Sequence, residues 1–75
     1  MVMKLEGLTK GENFIVEWQY HMLGDFGTAL ASTIMLADIH NKAKLAKGFP
    51  DEVEAYNKYS TENGWWQKLQ KKIGR

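Results

Sequence analysis

The sequence predicts an all-α domain, and three observations carry the prediction. Helix caps and terminators recur along the chain at Thr9, Gly24, Asp25, Gly48, Pro50 and Gly64. Between them apolar residues return at three-to-four spacing. The one proline stands where a helix would begin. The expected product is a small domain of three to four helices over residues 9–75, with one long central helix and an amino-terminal arm at residues 1–8.

Thr9-Lys10-Gly11-Glu12 reads as a capping box, in which the Thr oxygen accepts a free N–H and Glu12 reaches back to the cap. Phe14, Ile15, Trp18 and Met22 follow at helical spacing, and Gly24 stands where a left-handed terminating residue is expected. Phe14, Val16, Trp18, Tyr20 and Met22 also alternate, as a half-buried strand would. The cap and the glycine favour helix.

Asp25 is a good N-cap for the next segment. Residues 26–47 contain no proline and are rich in Ala, Leu, Met and Lys, which predicts one helix across residues 25–47. Phe26, Leu30, Ile34 and Ala37 form one stripe, with Ala31, Met35 and Ile39 beside it, so the apolar face is broad enough for contact on two sides. Asp38 and Lys42 stand four apart and can pair on the exposed face. Lys42, Lys44 and Lys47 suit the negative pole, and Gly48 ends the segment.

Phe49-Pro50-Asp51-Glu52-Val53 opens a third helix, with proline in the first turn and acids at the positive pole. Val53, Tyr56 and Ser60, flanked by Ala55 and Tyr59, would line its inner face. Asn63-Gly64 supplies a turn, and Trp65, Trp66, Leu69 and Ile73 form a last short amphipathic helix.

With 75 residues, no cysteine and two histidines, the chain has no disulfide and no ligand set for a structural zinc. A domain this small buries only about 60% of the surface of its unfolded chain, and it needs some further staple. Self-association into a homo-oligomer is the expected one, with a symmetric dimer as the default. The net charge is +1, divided as −3 over residues 1–41 and +4 over residues 42–75. Neither the total nor the single arginine suits nucleic-acid binding. No apolar run approaches the ~18–20 residues of a membrane span, and the first ten residues lack the apolar core of a signal peptide. A reducing cytoplasm is the expected compartment.

The segments EWQYHMLGDF, ADIHN, KLAKGFP, DEVEAY and ENGWW follow one another from Glu17 to Trp66. In this order they resemble a group of small bacteriophage proteins with a Gly-Asp-Phe turn, an Ala-Asp helix, a Gly-Phe-Pro-x-Glu-Val-Glu turn and a Gly-Trp-Trp end. The resemblance implies a phage product made in the cytoplasm of the bacterial host. It also implies an accessory role, such as blocking a host enzyme, sequestering a defence signal or helping packaging. It carries over no catalytic residue.

Catalysis finds little support in the residues themselves. Ser32, Ser60, Thr28, Thr33 and the two His form no local nucleophile signature, and no phosphate-binding glycine loop is present. His21 and Asp25 are four apart, but Gly24 interrupts the helix between them and a metal needs three or four convergent ligands. No cofactor or metal is expected. The tandem Trp65-Trp66 is more informative, because neighbours on a helix point about 100° apart and cannot both enter one narrow seam. Lys68, Lys71, Lys72 and Arg75 follow at helical spacing. Aromatic rings beside a basic stripe suit an anionic planar ligand, which makes Trp65, Trp66, Lys68, Lys71 and Lys72 the candidate ligand-binding residues.

The expected function is therefore non-enzymatic binding in counter-defence: sequestering an anionic signalling nucleotide, or capping a host or defence protein with the aromatic surface. The latter needs a contiguous apolar patch of several hundred Å². A structural or packaging role in the phage is the alternative.

Overall fold

The computed structural model describes residues 7–74, and within them the chain is all-helical. Five helices follow in order: α1 Lys10–Gln19, α2 Asp25–Leu36, α3 Ile39–Gly48, α4 Pro50–Thr61 and α5 Trp65–Lys72. Leu8, placed in the arm by the sequence, packs against the Val16, Leu69 and Ile73 cluster; the rest of that arm up to residue 6 lies outside the described residues, as does Arg75.

The capping box forms as its residues dictate. Thr9 Oγ1 accepts the N–H of Glu12 at 3.1 Å, and Glu12 Oε1 accepts the N–H of Thr9 at 2.9 Å. The alternation over residues 14–22 therefore belongs to a helix and the short turn after it. That helix ends earlier than Gly24 suggested. The left-handed position falls on His21 (φ 57°), while Gly24 is extended and serves as N-cap of α2, with Asp25 as its first helical residue. Asp25 thus contributes its charge to the positive pole rather than capping as expected.

The long helix expected across residues 25–47 is broken in two. Ala37 is extended (ψ 137°), and Asp38 turns its side chain back to accept the N–H of Asn41 at 2.8 Å. An aspartate that offers the backbone this local bond competes with helix continuation, and here the competition ends α2 and caps α3. Asp38 consequently does not pair with Lys42, whose Nζ sits 5.2 Å from the Tyr56 ring centroid instead.

Helix α4 is the hub, packing against α1, α2, α3 and α5. Pro50 is its first residue, and Asp51 and Glu52 occupy its first turn. Val53 and Ala55 are buried and Tyr56 and Tyr59 half-buried; Ser60, expected on the inner face, is exposed and donates to the Asn57 carbonyl at 3.2 Å. The main core joins Phe14 and Ile15 of α1, Leu30, Ala31 and Ile34 of α2, and Val53 and Ala55 of α4. A smaller cluster of Val16, Leu69 and Ile73 seats α5. The molecule measures 38 × 28 × 18 Å. Among the described residues α2 packs against α1 and α4.

Candidate functional site

The tandem tryptophans join the packing of the core. Trp65 and Trp66 are both half-buried and both pack against the two apolar clusters, closing the seam between them. Trp66 meets Tyr20 at 6.1 Å and Tyr59 at 5.9 Å between ring centroids, and Trp65 meets Tyr59 at 6.5 Å. Trp18 continues the array onto Tyr56 and Tyr59 at 5.9 and 5.6 Å. The edge-to-face pairs within it suit the ring quadrupoles and contribute about 0.5–1.5 kcal/mol each beyond area burial.

Lys68, Lys71 and Lys72 do not line the recesses beside the two rings. Lys72 donates to Glu12 Oε2 at 3.0 Å, tying α5 to α1, while Lys68 and Lys71 stand exposed. On an ideal helix Lys68 points about 160° and Lys71 about 140° away from Trp66, while Lys68 stands about 60° and Lys72 about 20° from Trp65. The recess beside Trp66 has Glu62 as its one charged lining residue. The recess beside Trp65 combines Glu12, Asp51 and Glu54 with Lys10 and Lys58. Two of its carboxylates are already paired, Glu12 with Lys72 and Glu54 with Lys58 at 3.1 Å. Burial pushes the Glu12 carboxyl up, but the Thr9 N–H and the Lys72 ammonium outweigh that and hold it below its ordinary value of 4.5. Among the described residues no three of His, Asp or Glu gather as a metal site, and His21 and His40 are exposed.

A different surface has the properties of a contact site. Phe26, Leu36 and Ile39 are 70, 81 and 80% exposed, and Met22 and Met35 about half exposed. Fully burying such a side chain contributes roughly 1.5–3 kcal/mol. Three left in water forgo an amount comparable with a good part of a small domain's ~5–15 kcal/mol stability. The outer face of α2 also carries no charge: from Phe26 to Leu36 the sequence has no Asp, Glu, Lys or Arg. Its two exposed hydroxyls are already occupied, Thr33 Oγ1 donating to the Ala29 carbonyl at 2.8 Å and Thr28 Oγ1 to the Leu23 carbonyl at 3.4 Å. Covering this face would therefore strand neither hydroxyl.

Two recesses flank the face. One of about 390 Å³ lies between α2 and α3, lined by Thr33, Leu36, Ala37, Asn41, Lys44 and Leu45. The other, about 450 Å³, lies between α3 and α4, with Ile39 at its head and Ala43, Ala46 and Val53 on its walls. The sequence indicated an apolar face suited to two-sided contact. It did not indicate which side would stay open, because that depends on where α1 and α4 dock.

The fold and this surface together define a small all-α protein with an uncharged apolar face in water. No protein-family model matches the chain, and neither a curated protein nor a solved structure matches it. Among the described residues no helix is long and apolar enough to cross a membrane.

Proposed function

We propose that this chain is a bacteriophage accessory protein that acts by binding rather than by catalysis, and that it works in counter-defence by capping a protein of the bacterial host. The phage setting rests on the resemblance carried by the segments from Glu17 to Trp66. The observation that supports protein capping is the exposed apolar head of α3, where Ile39 stands 80% in water beside a recess walled by Ala43, Ala46 and Val53. The Ile39 recess, with apolar walls and Lys42 and Asn57 among its lining, suits a helix or loop inserted from a partner.

Nucleotide sequestration has less support, since Trp65 and Trp66 stack against the protein's own rings and the recesses beside them lack Lys68, Lys71 and Lys72. The test is native mass spectrometry of the protein recovered from infected cells, beside an Ile39→Glu variant whose circular dichroism is unchanged. The expected result is a stoichiometric complex with one host polypeptide that the variant loses. A retained anionic small molecule, or a complex indifferent to Ile39→Glu, would overturn the proposal.

A further inference from the structure

We infer that the outer face of α2 is covered by α2 of a second copy, antiparallel, about a two-fold axis near Ala31. The inference rests on reading that face as a contact surface and commits its occupant. Phe26, Ala29, Thr33 and Leu36 recur at three, four and three residues along α2, the spacing of a knobs-into-holes seam. The stripe reads large, small, small, large in either direction. A two-fold interface requires that if residue i meets j, then j meets i. Here one antiparallel register satisfies that for all four positions: Phe26 opposite Leu36, and Ala29 opposite Thr33. The small residues at the centre let the backbones approach, and the Thr33 hydroxyl, bonded to Ala29 at 2.8 Å, presents no unpaired group.

The ends of the stripe fit as well as its middle. Phe26, 70% exposed, comes opposite the recess of about 390 Å³ in which Leu36, Asn41 and Lys44 of the second copy stand. Asp25, one residue before Phe26, is carried to the end of the second copy where Lys44 lies, so the rim charges are opposite in sign. Parallel pairing would set Asp25 against Asp25 and Phe26 away from that recess. The exposed apolar side chains of the stripe amount to roughly 300 Å² per copy, within the range of the largest patch on a monomer. Ile39 and the α3–α4 recess are no part of the stripe.

The test is sedimentation velocity on the purified full chain, with circular dichroism on every variant. The wild type is expected to sediment as a dimer at micromolar concentration. Phe26→Glu and Leu36→Lys should each weaken dimerisation by at least about 30-fold, the effect of losing one hot-spot side chain, because each change falls twice in a two-fold interface. Mixed in equal amounts they should pair with each other, because the antiparallel register sets the introduced acid against the introduced base. Should Phe26→Glu lose helicity, the inner pair Ala29→Glu and Thr33→Lys poses the same question at exposed positions. A wild type monomeric at several hundred micromolar, a dimer indifferent to these changes, or variants that fail to recover on mixing would overturn the inference. A monomer that keeps its Ile39-dependent complex overturns the dimer alone; a dimer with no such complex overturns the functional reading alone.

Discussion

Replacing Gly11 by Ala adds one methyl group at the tightest approach found at any glycine of the chain. A Cβ at this position would stand 2.6 Å from the Asp51 carbonyl oxygen and 2.7 Å from Ala55 Cβ, with Asp51 C at 3.4 Å. Carbon contacts settle near 3.5–4.0 Å, so α1 and α4 must part by about 1 Å. Neither obstacle is the end of a flexible side chain. One is the backbone of α4 and the other is a Cβ attached to it. The same two helices bring Phe14 and Ile15 against Val53 and Ala55, so parting them loosens the main core. Overpacking of this kind costs about 1–3 kcal/mol. Against it stands the gain in helix propensity, at most about 1 kcal/mol and less in the first turn. The net expectation is destabilisation on the order of 1–2 kcal/mol, a fall in Tm of roughly 5–15 °C for a domain of this size. Gly48→Ala is the control, since nothing lies within 4 Å of its Cβ position and its φ is not positive; it should be neutral or mildly stabilising. Urea unfolding followed by tryptophan fluorescence and circular dichroism, at one fixed protein concentration, measures both. If Gly11→Ala is as stable as wild type, or matches Gly48→Ala, the α1–α4 packing described above is wrong.

Three further outcomes follow from the same structure. Glu12 holds a depressed carboxyl pKa, so its contribution is full above the ordinary value of 4.5 and is lost as pH falls through the lower folded value. Glu12→Gln should be less stable than wild type at pH 7, and the difference should shrink in acid, as unfolding curves from pH 7 to pH 2 would show. Asp38→Ala removes the acceptor for the Asn41 N–H and should cost about 1 kcal/mol with little change in helical content by circular dichroism, because Ala37 and the docking of α3 on α4 still require the bend. Trp66→Ala should cost roughly 2–4 kcal/mol, somewhat under the value for a fully buried ring, while Lys68→Gln with Lys71→Gln should leave the unfolding midpoint unchanged.

What the sequence reveals about this fold is its local grammar. The Thr9–Glu12 box and the Pro50 start involve residues within one turn of each other, and both form as written. Asp38 shows the limit of that grammar. In a stretch rich in Ala, Leu and Lys it reads as one exposed acid on a long helix. Its role is decided by whether its carboxylate accepts the Asn41 N–H or faces water, a choice that helix propensity alone does not make. The tandem tryptophans were legible as two rings that cannot share one seam, but two separate apolar clusters exist to receive them, which only the docking of α5 reveals. The uncharged run from Phe26 to Leu36 was visible as an apolar face of unusual breadth. Which of its residues stay in water follows from α1 and α4 covering Leu30, Ala31 and Ile34 and leaving Phe26 and Leu36 open.

The most direct test of protein capping is site-specific photo-crosslinking in infected cells, with the reactive side chain placed at Ile39 and, separately, at Lys68. Ile39 heads the apolar recess between α3 and α4, and Lys68 lies exposed on the basic side of α5. The account predicts a discrete adduct with one host polypeptide from position 39 and none from position 68. Adducts from position 68 with position 39 silent would contradict it and return the carboxy-terminal helix to the centre of the function.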